Sequence, residues 1–169
     1  NFDNLPMATL HGDFNDANIL LHGDKWGILD VGDCVYSWRV NDVAIGAAYV
    51  MVNLCTSENK RSGFSDKGDH VAVQGAQKFV EGFLQRSTLS KDEKRALPHL
   101  VAARLATSFT LGWYSYRESL AAQPDMPKQR RDYLLHHALP AATALDVCLE
   151  ATSLVADWPT TKPVRDPRR

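Results

Sequence analysis

The sequence predicts an α+β domain, mainly helical, in which a short β-hairpin carries a loop rich in carboxylates and amides. Three observations predict it. Between Leu10 and Asp33 the chain reads as a polar loop, a short strand over Asn18–Leu21, a turn at His22-Gly23-Asp24-Lys25 and a second strand over Trp26–Leu29. From Val40 onward the apolar residues recur at helical spacing. The chain has 169 residues, 44% of them hydrophobic, enough to bury one real core. No repeat or second domain is visible. The domain is expected over 1–157, with loop and hairpin at 8–33 and a helical subdomain at 40–155.

Residues 1–9 are a polar lead-in ending in Met7-Ala8-Thr9-Leu10, and Cys34–Arg39 is a connector rich in aromatics. Val40, Val43, Ala44, Ala47, Ala48 and Met51 define a buried helix at about 41–54, with Asn41 or Asp42 placed to cap it. Residues 56–69 are polar and read as a loop. Val73, Ala76, Phe79, Val80 and Phe83 form the stripe of a second helix at about 69–86. Ser90 and Glu93 make a capping box for a long helix reaching about Glu118. Pro98 is expected to kink or split that helix. A turn follows over 119–127. A further helix starts near Pro127, with Pro140 interrupting it before it resumes over 141–154. The tail 158–169, with three prolines, is expected to be disordered.

Composition excludes several classes. A net charge of −1 gives no electrostatic case for nucleic acid. No apolar run approaches the length of a membrane span, and the first residues contain no signal core. Cys34, Cys55 and Cys148 are widely spaced and read as reduced thiols of a cytoplasmic protein, Cys34 as a small packed residue. His136 and His137 are adjacent on a helix, face different ways and make a poor metal pair.

The chemistry gathers in the loop. His11, Asp13 and Asn18 have the spacing H-x-D-x-x-x-x-N, and Asp30 follows Asn18 by twelve residues, ahead of Val31-Gly32. Phosphoryl transfer asks for residues of these types in this order. A carboxylate must orient the acceptor hydroxyl and take its proton, and oxygen ligands must hold Mg²⁺ against the nucleotide phosphates. Mg²⁺ needs only one or two protein oxygens, the rest being water and phosphate. Asp13 suits the first role, Asn18 and Asp30 the second, and the hairpin would return Asp30 to the side of Asn18. Plainer readings exist: an Asx-capped turn for Asp13 and Asn18, a solvated strand end for Asp30, solvated turns for Asp16 and Asp24. A hydrolase with a transition metal on His11, Asp13, Asp30 and Asp33 is a further alternative, but leaves the position of Asn18 unexplained.

The segments Thr9–Leu20, Gly27–Asp33 and Ser37–Gly46 together resemble the aminoglycoside phosphotransferase/choline kinase superfamily of small-molecule kinases. Within it the chain is most similar to the hydroxylysine kinases, through Asp30-Val-Gly-Asp33, Arg39-Val-Asn-Asp-Val-Ala-Ile45 and Gly112-Trp-Tyr-Ser-Tyr-Arg117. The resemblance spans about 8–155 and implies the C-terminal lobe of a protein-kinase-like fold. It implies that Asp13 faces the substrate hydroxyl, that Asn18 and Asp30 hold Mg²⁺, that His11 braces the loop and that Asp42 anchors it from behind. It implies GTP or ATP as phosphoryl donor and a hydroxylated amine as acceptor, 5-hydroxy-L-lysine first, with aminoglycosides, choline or ethanolamine, and homoserine as alternatives. An ammonium-bearing acceptor calls for carboxylates or aromatic faces, for which Asp33, Trp113, Tyr116 and Glu150 are candidates. Val31 departs from the pattern, standing where many relatives carry an aromatic. The sequence holds no G-x-G-x-x-G, and every lysine follows the loop. The N-terminal lobe is therefore expected to be missing, leaving a fragment poorly active alone, or a non-catalytic binding module.

Overall fold

The computed structural model describes residues 4–55, 71–136 and 138–151. The expected loop at 56–69, the tail at 158–169 and His137 lie outside them. Strand β1 (Met7–Leu10) pairs antiparallel with β4 (Val35–Trp38), Met7 opposite Trp38 and Leu10 opposite Val35. Strands β2 (Ile19–His22) and β3 (Lys25–Ile28) form the predicted hairpin, Ile19 opposite Ile28 and His22 opposite Lys25. Strand β4 is a departure from expectation. Its Val-Tyr-Ser-Trp composition suits a strand, but its partner lies some thirty residues back, beyond the reach of a local pattern.

Among the described residues five α-helices follow: α1 (Val40–Leu54), α2 (Val71–Leu84), α3 (Lys91–Ala122), α4 (Lys128–Leu135) and α5 (Ala138–Glu150). Helix α1 lies against α2, α3 and α5, and its Val40, Val43, Ala47, Ala48 and Met51 are buried in the core with Val80, Leu97, Val101, Leu105, Ala144 and Cys148. The small residues allow the close approach. A β-carbon on Gly46 would come within 2.3 Å of the Phe79 ring, so α1 and α2 can meet at this distance only over a glycine.

Four local expectations are corrected. Neither Asn41 nor Asp42 caps α1: Arg39 stands at the cap position without a side-chain cap, and Asn41 Nδ2 donates to Ser37 Oγ at 3.2 Å. Pro98 does not split α3, which runs unbroken for 32 residues. Leu97 and Pro98 are both buried, and that packing offsets the hydrogen bond the proline cannot make. Pro140 falls in the first turn of α5, where a missing N–H costs nothing; the break lies between Leu135 and Ala138. Cys34 is exposed rather than packed, whereas Cys55 and Cys148 are buried free thiols. Burial pushes the Cys148 thiol up to about 11.

The start of α3 is tied to the start of α1. The Ser90–Glu93 capping box forms as predicted, Ser90 N donating to Glu93 Oε2 at 2.7 Å and Glu93 N to Ser90 Oγ at 3.2 Å. Arg39 grips the same carboxylate with Nε on Oε1 at 3.0 Å and Nη2 on Oε2 at 2.8 Å. It also donates to the Thr88 carbonyl at 2.7 Å. Burial of Glu93 works to raise its carboxyl, but the hydrogen bonds from Arg39 and the Ser90 backbone outweigh it and hold the group below the usual carboxylate range. No helix among the described residues is long and apolar enough to cross a membrane.

Candidate active site

The loop between β1 and β2 is suspended from the first turn of α1. Asp42 accepts from His11 N at 2.8 Å through one oxygen and from Gly12 N at 3.0 Å through the other. One carboxylate thus satisfies two consecutive loop amides from behind. Gly12 is required there. Its φ is +85°, and a β-carbon would stand 2.6 Å from the Asp33 carbonyl oxygen. Gly12→Ala is expected to destabilise the protein by roughly 2 kcal/mol, the sum of a left-handed backbone and a displaced Asp33 segment. Urea unfolding of the two proteins measures it; an unchanged midpoint would mean that the loop does not depend on this contact.

His11 uses both ring nitrogens. Nδ1 accepts from Asp13 N at 3.3 Å, and Nε2 donates to the Leu29 carbonyl at 2.7 Å. The ring therefore bridges the loop to the end of β3. An isolated two-stranded hairpin is marginal in water, and here Leu21 and Trp26 are 62% and 73% exposed. The His11 bridge supplies an anchor that burial does not. Phe14 lies edge-on to His11 at 6.3 Å and against Phe79 of α2 at 6.4 Å.

Asp13 is held on every side. Its Oδ2 accepts from Asn15 Nδ2 at 2.9 Å and from Asn18 Nδ2 at 3.4 Å. Asn18 Nδ2 also donates to the Asp13 carbonyl at 2.9 Å. Asn15, buried, turns its Oδ1 to the amides of Ala17 and Asn18 and caps the short 3-10 turn Asp16–Asn18. Asn18 Nδ2 thus meets Asp13 at both its carbonyl and its carboxylate.

Asp30 follows the residue that the hairpin sets opposite Asn18. Leu29 N donates to the Asn18 carbonyl at 2.9 Å, one rung beyond the Ile19–Ile28 pair, and Asp30 is the next residue. Asp30 is exposed and adopts φ 57°, ψ 54°, the one non-glycine residue at positive φ among those described. An amide oxygen and a carboxylate are oxygen donors of the kind Mg²⁺ takes, and two suffice if water and phosphate complete the shell. Among the described residues no three His, Cys, Asp or Glu side chains gather to hold a metal. Both ring nitrogens of His11 are engaged, with Asp13 N and the Leu29 carbonyl.

One partner of Asp13 was not foreseen. Arg104, on α3, forms an ion pair through Nη2 with Asp13 Oδ1, and the same nitrogen donates to Tyr49 Oη at 3.0 Å. The guanidinium lies 5.2 Å from the Tyr49 ring centre. Arg104 is 91 residues from Asp13 in sequence, and its only trace there is a cation beside the apolar stripe of Val101 and Leu105. Next to it opens a cavity of about 300 Å³ lined by Asn15, Asp16 and Ala17 of the loop, Tyr49 and Val52 of α1, and Arg104, Thr107, Ser108 and Leu111 of α3.

The other substrate candidates lie apart from this cavity. Trp113 and Tyr116 stack on each other at 5.5 Å further along α3, with Phe109 against Trp113 at 6.4 Å. Glu150 is exposed at the end of α5, and Asp33 closes a 3-10 turn beneath Gly12.

Residues 2–74 match the model of the phosphotransferase enzyme family, which covers the loop, the hairpin and α1. Over that segment the chain is similar to the aminoglycoside phosphotransferase/choline kinase-like superfamily. Among characterised relatives, it is similar to hydroxylysine kinase of Mus musculus, at 32% identity across 62% of this chain and 27% of the relative. The chain therefore spans about a quarter of the length of that relative. No solved structure matches it.

Proposed function

We propose that this chain carries the acceptor and metal groups of a small-molecule kinase that moves the γ-phosphate of ATP or GTP to the hydroxyl of an amine metabolite, 5-hydroxy-L-lysine first. The observation that supports the reading most is the commitment of hydrogen bonds around Asp13. Asn18 Nδ2 donates to the carbonyl and the carboxylate of Asp13, so its amide oxygen is the atom it would offer a metal, and Asp30 follows the residue paired with Asn18 across the hairpin. An Asx-capped turn alone would need Asn15, which already performs that task, and would ask nothing of Asn18 or Asp30.

In this reading the acceptor hydroxyl donates to a carboxylate oxygen of Asp13. As the hydroxyl oxygen bonds to the γ-phosphorus, its proton passes to Asp13, and the nucleoside diphosphate leaves with the electrons of the broken P–O bond. Asn18 and Asp30 would hold Mg²⁺, which neutralises charge on the phosphates when bound. His11 and Asp42 act through the loop's geometry. The hydroxylysine assignment rests on the resemblance of the sequence and on the name of the mouse relative.

The test is transfer by the natural full-length protein, with Mg²⁺ and either ATP or GTP, to hydroxylysine, kanamycin, choline, ethanolamine and homoserine. Phosphorus NMR of the products should show a phosphate ester on hydroxylysine. An ester on another of these acceptors moves the protein to that branch. Transfer to none, together with no binding of Mg²⁺–nucleotide, supports a binding module instead.

A further inference from the structure

We infer that Arg104 is the receptor for a carboxylate on the acceptor, and that its ion pair with Asp13 is a resting arrangement which the substrate's carboxylate exchanges. The inference rests on the phosphotransferase reading and assigns a residue to one part of its acceptor, the carboxylate of a hydroxylated amino acid.

Three observations carry it. The first is the state of the guanidinium. Nη2 serves both Asp13 and Tyr49, while Nε is buried and has no hydrogen-bond partner. Asp13 therefore meets the guanidinium at a single nitrogen rather than as the two-pronged pair that a planar fork and a carboxylate make best. Such a contact gives way readily to a carboxylate that engages both prongs. The second is what the ion pair does to Asp13. Arg104 takes Oδ1, and Asn15 and Asn18 take Oδ2, so both oxygens are occupied when the acceptor arrives. Drawing Arg104 away frees Oδ1 for the hydroxyl. Carboxylate recognition at one end of the substrate would thus prepare the group that handles the other end.

The third is position. Asn18 meets the Oδ2 edge of Asp13 and Arg104 the Oδ1 edge, so the guanidinium stands off the side proposed for metal and phosphate. It borders a cavity of about 300 Å³ whose wall also carries the exposed carboxylate of Asp16. A cation and an anion on one cavity suit the zwitterionic head of an amino acid. Arg104 lies beyond residues 2–74, so the family match assigns it nothing.

The experiment compares 5-hydroxylysine with its carboxamide as acceptors for the natural full-length protein, unmutated and as Arg104→Met and Arg104→Gln. The unmutated protein should favour the carboxylate about 100-fold in kcat/KM, chiefly through KM, because the amide cannot complete a charged two-pronged contact. Both variants should lose that preference to within about threefold, by a rise in KM for hydroxylysine alone. Equal use of the two acceptors by the unmutated protein overturns the inference without any variant. An equal fall in kcat on both acceptors also overturns it, and assigns Arg104 to Asp13 or the phosphoryl group. Transfer to neither acceptor overturns the phosphotransferase reading itself, and the inference with it.

Discussion

Asp30→Asn should reduce Mg²⁺-dependent transfer by the natural full-length protein at least roughly a thousandfold while leaving its melting temperature within about a degree. The activity loss follows from charge. A neutral amide keeps an oxygen at the position but gives up the anion that attracts a hard divalent cation, and electrostatic support of the transferring phosphoryl group is the main contribution a protein makes to this chemistry. The retention of stability follows from the backbone. Asp30 sits at φ 57°, ψ 54°, a conformation that asparagine adopts more readily than most residues. Its side chain is exposed and makes no cap hydrogen bond. Asparagine is also of the same size, so neither Gly32 nor the hairpin end need move. Paired transfer assays and thermal melts decide it. A variant that keeps its rate has no metal ligand at residue 30, and one that melts early has a structural aspartate there.

The near-isosteric test is possible because the site was written compactly. Loop, hairpin and the first turn of α1 fall within about thirty residues, so spacing brought His11, Asp13, Asn18 and Asp30 into view, and the family resemblance added Asp42. The hairpin register sets Leu29 opposite Asn18, with Asp30 the next residue. Periodicity likewise revealed α1, α2 and the capped start of α3, because each buries one continuous stripe. What escaped was long-range. Strand β4 has a partner that no local pattern names. Arg104 meets Asp13 only because α3 packs across α1, which no residue of α3 announces. The prolines misled for a related reason. A rule about an isolated helix overlooks the burial that carries α3 through Pro98, and it overlooks where in α5 Pro140 falls. On the acceptor side, the guanidinium of Arg104 beside Asp13 gave no local signal in the sequence.

Glu93→Ala is expected to be the most destabilising single change, about 3 kcal/mol, because one buried carboxylate accepts three hydrogen bonds from two residues. It closes the capping box on Ser90, receives both prongs of Arg39 and thereby fastens the junction of β4 and α1 to the start of α3. Removing it strands the Arg39 guanidinium and frays the first turn of a 32-residue helix. Loss of one partner from a buried pair costs roughly 3–5 kcal/mol. Arg39 is 35% exposed, and water reaching it sets the value at the low end. Urea unfolding at pH 7 measures the loss, and a shift of under about 1 kcal/mol would mean that α3 does not need its cap. The pH dependence follows in sign. The folded protein holds the Glu93 carboxyl below its unfolded value of about 4.3. Its contribution is therefore full above that value and is lost as pH falls through the lower folded one, where the unfolded chain binds the proton first. Glu93→Gln keeps an oxygen to accept from Ser90 and Arg39 but has no proton to gain. Its stability should fall less steeply than that of the unmutated protein below about pH 4.5, so that the two curves converge in acid. Curves that stay parallel from pH 7 to pH 3 would remove Glu93 from the acid response and leave the capping box as its sole contribution.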